Sequence, residues 1–182
     1  MAQSNTSNYH SSTYGDGFAD IYDDWYQDVT DVESTVAFIV SLAQGKKILE
    51  LGIGTGRLAL PIAATGAPVS GVDSSSAMLD RLAKRDGSRL IKTHLADMAH
   101  WLPKGRFQVI FCAYNTFFNL IGSNAQESCL KLVEQRLEPN GRFILEAFAP
   151  SISPDLPTRG IECRHTTNTT VMNITIREQT SR

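Results

Sequence analysis

The sequence holds only three cysteines in 182 residues, Cys112, Cys129 and Cys163, and no two of them form a C-x-x-C pair. An odd, widely spaced set of this kind excludes a disulfide framework and fits a reducing compartment. Positive charge is not in excess either: 17 Lys and Arg stand against 19 Asp and Glu, for a net charge of -2 and an isoelectric point near 6.1. Without a basic footprint, nucleic acid is excluded as a partner. No run of about 18 apolar residues occurs, and the first residues, MAQSNTSNYHSSTYGDG, offer neither a basic nor an apolar leader segment. The expectation is a soluble, cytoplasmic protein with no membrane partner, in which the Asn-x-Ser/Thr triplets at Asn5, Asn168 and Asn173 are chance matches. Internal repeats are also lacking.

What is present is enough apolar material for one core. At 42% apolar, a chain of this length can bury roughly 70% of the surface its unfolded form exposes, with no need of a staple. Residues 1–17 are polar and glycine-rich and read as a flexible tail. Phe18, Ile21, Tyr22, Trp25 and Tyr26 then share one face of a short helix, and Asp31 caps a second helix that ends at Gly45. From Lys47 the pattern changes to strands alternating with helices: strands at 47–51, 68–72, 90–94, 107–114 and 142–148, with helices at 57–66, 75–85 and 125–137. Such alternation predicts an α/β fold, a doubly wound, Rossmann-like parallel sheet over residues 18–150. Residues 151–182 read as an extension carrying one antiparallel strand near 171–177, where Met172, Ile174 and Ile176 alternate with polar residues.

The chemistry is concentrated in Glu50-Leu51-Gly52-Ile53-Gly54-Thr55-Gly56-Arg57, a glycine turn between the first strand and its helix. Glycines let the backbone approach a ligand, and a helix start offers free N–H groups. Asp73, roughly 20 residues beyond Gly52, ends the second strand, where an ionised carboxylate can accept from both hydroxyls of a ribose. Gly54, Gly56 and Ala59 also satisfy a loose dinucleotide pattern, so an NAD-dependent oxidoreductase stays among the readings. Charge argues against it, because Glu50 beside a pyrophosphate costs roughly 4 kcal/mol at about 4 Å and an effective dielectric near 20. A cation reverses that sign. S-adenosylmethionine carries a sulfonium and an ammonium and no phosphate, and Asp97, after the third strand, is placed to accept from an adenine amino group.

In its ordered motifs the chain resembles a class I S-adenosylmethionine-dependent methyltransferase: ILELGIGTGRLALPIA (48–63), GVDSSSAML (71–79), ADM (96–98), FQVIFCAYNTFFNL (107–120) and LEPNGRFILEAF (137–148). The resemblance implies that Gly52, Gly54, Asp73, Ser74, Met78, Asp97, Met98 and Ala113 line the cofactor with Glu50, and that Tyr22 lies near its methionine end. Ala113-Tyr114-Asn115-Thr116 departs from the Asn/Asp-Pro-Pro-aromatic run of base and glutamine methyltransferases. The run Asn115-Thr116-Phe117-Phe118-Asn119-Leu120 is similar instead to the small-molecule branch, so a small-molecule methyl acceptor is implied. Tyr14, Tyr22, Tyr114 and Asn115 are the polar candidates near the mouth, and no catalytic residue is assigned. His94 and His100 flank Asp97 but draw no further ligand, so no metal site is expected. The family's sheet ends in an antiparallel hairpin that this chain is expected to lack. That would leave the fifth strand a bare edge open to self-association, and would make a shortened, non-catalytic binding domain the rival reading.

Overall fold

The computed structural model describes residues 10, 12–19, 31–122 and 124–147, together with the strands Cys163–Thr167 and Thr170–Ile174. Nearly all of the helix expected over 18–27, Tyr22, Trp25 and Tyr26 included, lies outside these residues.

The first described helix, α1 (Thr13–Phe18), corrects the boundary drawn at residue 17, since Thr13 to Gly17 are helical. Composition hid it, because α1 is anchored by a side-chain hydrogen bond from Ser75 to Asp16 and by the close approach of Gly15 to Ser75. In α2 (Val32–Ala43) the Asp31 carboxylate accepts from the Ser34 N–H at 2.9 Å, as an N-cap should. The helix stops where Gln44 and Gly45 both turn left-handed, with φ of 50° and 76°.

Five parallel strands follow: β1 (Ile48–Leu51), β2 (Val69–Asp73), β3 (Ile91–Leu95), β4 (Phe107–Cys112) and β5 (Leu137–Leu145). Their order in the sheet is β3-β2-β1-β4-β5. β1 and β4 lie at its centre and are buried along their whole length, which is why neither shows polar alternation. Successive strand residues point to opposite faces, and each face carries its own core. Ile48, Val109 and Phe111 pack with Val36 and Ile39 of α2, Ile62 of α3 (Ala59–Ala64) and Leu82 of α4 (Ser76–Ala83). Leu49, Leu51, Ile110 and Cys112 pack with Cys129 and Val133 of α5 (Ala125–Arg136) and with Phe143. The sheet is therefore covered on both sides, the doubly wound arrangement expected from the alternation.

Gly71 in β2 sits opposite Glu50 of β1, and a Cβ there would come within 2.7 Å of the Cβ of Ile53. Gly71→Ala is expected to cost about 1–3 kcal/mol through overpacking, read as a lower urea midpoint at unchanged m-value. A stability equal to wild type would show that the glycine turn moves aside freely.

Beyond β5 the structure describes two strands where one was expected: β6 (Cys163–Thr167) pairs antiparallel with β7 (Thr170–Ile174). β7 lies alongside β5. No ladder joins the two among the described residues: β5 ends the five-stranded sheet with β4 as its paired neighbour, and β6 and β7 form a sheet of their own. The sequence showed only the second arm because Cys-Arg-His-Thr-Thr has no apolar alternation, whereas Val-Met-Asn-Ile does in part.

Candidate functional site

The chain runs outward from β1 to β3, then crosses to β4 and β5, so the strand order reverses between β1 and β4. Open α/β sheets bind ligands outside the carboxyl ends of their strands at such a reversal. Here it holds a cavity of about 220 Å³ lined by Gly52 and Gly54, by Asp73 and Ser74 at the end of β2, by Met78 of α4, and by Asp97 and Met98 after β3. The sequence singled out all of these. Glu50 and Ala113 line a smaller cleft that shares Gly52, Tyr114 and Thr116 with the cavity. Tyr22 lies outside the described residues.

The glycine turn and β2 are tied together by one side chain. Asp73 Oδ2 accepts from the Gly54 N–H at 2.8 Å and Oδ1 from the Ser75 N–H at 2.9 Å. Each carboxylate oxygen keeps a further lone pair. Burial raises the Asp73 carboxyl above its usual range, while these backbone bonds pull it down. Gly52 has φ of 69°, and a Cβ on it would stand 2.2 Å from Cγ2 of Thr116; both conformation and space demand glycine there.

Glu50 is 4% exposed. Burial raises its carboxyl well above the usual range, the Asp73 charge raises it further, and Arg57 and an Ala59 backbone hydrogen bond oppose the shift. Its Oε2 has no hydrogen-bond partner. A buried carboxylate oxygen left without a donor is costly for the fold, and Glu50 lines a cleft that shares three residues with the cavity. Arg57, the last residue of the glycine turn, lies over the Tyr114 ring at 3.6 Å from the centroid. Asp97 accepts from the Ala99 N–H at 2.8 Å and meets exposed His100 at 3.4 Å. His94 turns to Trp101 instead, with ring centroids 5.2 Å apart. Among the described residues no three His, Cys, Asp or Glu side chains converge.

The profile of the methyltransferase domain family matches residues 48–141, just over half of the chain. The chain belongs to the class I S-adenosylmethionine-dependent methyltransferases. Residues of the domain are 30% identical over 107 positions to the cypemycin N-terminal methyltransferase of a Streptomyces species, covering 59% of this chain and 44% of that protein. They are 26% identical over 148 positions to the glycine/sarcosine N-methyltransferase of Halorhodospira halochloris, covering 77% and 55%. Among solved structures, the CcbJ methyltransferase of Streptomyces caelestis superposes with a TM-score of 0.69 at 39% identity, covering 75% of this chain and 58% of that one. The chain thus spans about half the length of the curated relatives it matches. Among the described residues no helix is long and apolar enough to cross a membrane.

The methyltransferase domain also brings to the cavity two of the polar candidates named near its mouth, Tyr114 and Asn115. Tyr114 and Asn115 follow β4 in the left-handed region, with φ of 54° and 62°, a state that costs a non-glycine residue of order 1–3 kcal/mol. Glu146 holds them: its Oε2 accepts from the Tyr114 N–H at 3.3 Å, and its carbonyl from the Asn115 N–H at 3.2 Å. A short 3-10 turn, Thr116–Asn119, then brings Thr116, Asn119 and Leu120 to the cavity wall. Phe117 is buried in the core, and Phe118 is exposed. Gly15 of α1 completes the lining; its segment carried no signal, because a glycine among polar residues announces no contact.

Proposed function

We propose that this chain transfers the methyl group of S-adenosylmethionine to a small-molecule acceptor, with an amine nitrogen as the accepting atom. The observation that carries the cofactor reading is the buried, partnerless oxygen of Glu50, in a cleft it shares with Arg57, beside a cavity whose charged lining residues are Asp73 and Asp97, so that three carboxyl groups stand against one cation. An acidic lining of this kind favours a cation and disfavours a pyrophosphate. S-adenosylmethionine supplies an electrophilic methyl group on a sulfonium; an acceptor nitrogen forms the new N–C bond in line as the S–C bond breaks, the sulfur keeps its electron pair, and the nitrogen then sheds a proton.

The chain's own residues bind and orient. Asp73 keeps lone pairs for two ribose hydroxyls while it fixes the glycine turn, and Asp97 is assigned the adenine amino group. Ser74, Met78, Met98 and Ala113 form the rest of the wall around the nucleoside, and Glu50 is assigned the cationic end. Holding two reactants in line can account for about 7–11 kcal/mol of the barrier, so no nucleophilic side chain is needed. Tyr114 and Asn115, at the mouth, are assigned to hold the acceptor's polar groups.

Nitrogen as acceptor is supported by the names of two relatives, one acting on a peptide N-terminus and one on glycine and sarcosine. A small molecule is supported by the run after β4. Buried, free Cys112 and Cys129 support work in the cytoplasm, where thiols stay reduced. Titration calorimetry with S-adenosylmethionine and NAD is expected to show binding of the first and none of the second, and mass spectrometry a gain of one methyl on a small amine. Tighter binding of NAD would overturn the cofactor reading, and methylation of a peptide N-terminus alone would overturn the small-molecule reading.

A further inference from the structure

A buried hydroxyl must place its proton and its lone pairs, and Ser75, 0% exposed, does so in a way that ties α1 to the glycine turn. Its Oγ accepts from the Met78 N–H at 3.2 Å, capping α4, and donates to Oδ1 of Asp16 at 2.6 Å. Its N–H donates to Asp73, whose other oxygen accepts from Gly54. An unbroken line of hydrogen bonds thus runs from Asp16 through Ser75 and Asp73 to Gly54. A second contact arrives at the same serine: a Cβ on Gly15 would stand 2.5 Å from the Cβ of Ser75 and 3.3 Å from Cγ of Met78. Gly15, Asp73, Met78 and Gly54 all line the cavity, and α1 packs on α4.

We propose that Asp16 is a positioning residue: through Ser75 it fixes the orientation of Asp73 and the glycine turn, and it clamps α1 as one wall of the cavity. The inference rests on the cofactor reading above, in which Asp73 takes the ribose. A hydrogen bond to a carboxylate is short and about twice as strong as a neutral one, which suits a bond that must hold a helix of six residues. Gly15 serves the same end, since any side chain there would lift α1 off Ser75.

The test compares the full chain with Asp16→Ala, Asp16→Asn and Gly15→Ala, by titration with S-adenosylmethionine, by thermal melts, and by hydrogen exchange of the Gly54 and Ser75 amides without ligand. Asp16→Ala is expected to weaken cofactor binding about tenfold and to speed exchange at both amides, with a Tm close to wild type. Asp16→Asn, whose amide oxygen still accepts from Ser75 in a neutral bond about half as strong, is expected to recover part of both readouts. Gly15→Ala is expected to reproduce the alanine variant with Asp16 intact. Unchanged exchange at both amides in Asp16→Ala overturns the inference, whatever the cavity binds, and so does an asparagine variant as impaired as the alanine one. Coupled exchange in a protein that binds no S-adenosylmethionine overturns the cofactor reading alone.

Discussion

Asp73→Ala is expected to weaken S-adenosylmethionine binding by a hundredfold to ten-thousandfold. Two charge-assisted hydrogen bonds to a ribose are worth roughly 1.5–3 kcal/mol each, and both go with the carboxylate. The same substitution strips the acceptor from the Gly54 and Ser75 N–H groups, so the turn that approaches the ligand is loosened as well. Orphaned backbone donors cost roughly 1–3 kcal/mol each where they stay out of water, and a lower urea midpoint should accompany the lost affinity. Asp73→Asn separates the two effects: its carbonyl can keep one backbone bond while its amide cannot accept the other. The asparagine variant should recover more stability than affinity. Calorimetry showing binding of Asp73→Ala within tenfold of wild type would remove Asp73 from the ribose.

Glu50→Gln is expected to make the ligand-free protein more stable and the cofactor weaker. The folded-state carboxyl lies well above the 4.5 of an exposed glutamate, first because it is buried and then because Asp73 faces it. A raised carboxyl holds its proton in the folded state after the unfolded chain has lost it. The stability this gives is fully present below pH about 4.5 and is lost as pH rises through the folded value. Glutamine has no proton to lose and escapes that decline, and a gain of about 1 kcal/mol would raise Tm by roughly 2–4 °C in a chain of this size. The decline in stability with rising pH should become shallower without vanishing, because Asp73 is shifted in the same direction. Affinity should move the other way: S-adenosylmethionine should lose tenfold or more relative to S-adenosylhomocysteine, which lacks the sulfonium charge. Melts from pH 4 to 8 with paired titrations check both halves. Equal losses for the two ligands, with a lower Tm, would make Glu50 a residue of the fold and not of charge recognition.

The sheet was legible because its signals are local. Buried strands such as Val109-Ile110-Phe111-Cys112 are apolar throughout, and helix starts such as Asp31 and Ser75 carry their caps in sequence. The glycine turn with Asp73 and Asp97 was legible for a related reason, since each falls at the carboxyl end of a strand and the parallel order brings those ends together. Less legible was whatever depends on one long-range contact. Gly15 and Asp16 reach Ser75 across the fold, the arm Cys163–Thr167 exists through pairing with Thr170–Ile174, and Tyr114 and Asn115 hold a disfavoured backbone through Glu146. None of these leaves a periodicity to read.

The clamp at Glu146 also divides the cavity by ancestry of support. One wall, from β1, β2 and β3, is braced by Asp73; the other, from β4, hangs on the residue just after β5. The two walls touch where Thr116 fills the space a Gly52 side chain would take. On the proposed function, substitutions around Glu146 would reshape the β4 wall, assigned to the acceptor, and leave the wall assigned to the nucleoside as it was. Substitutions drawn one from each wall should combine additively, except at the pairs Gly52 with Thr116 and Arg57 with Tyr114, where the two sides touch.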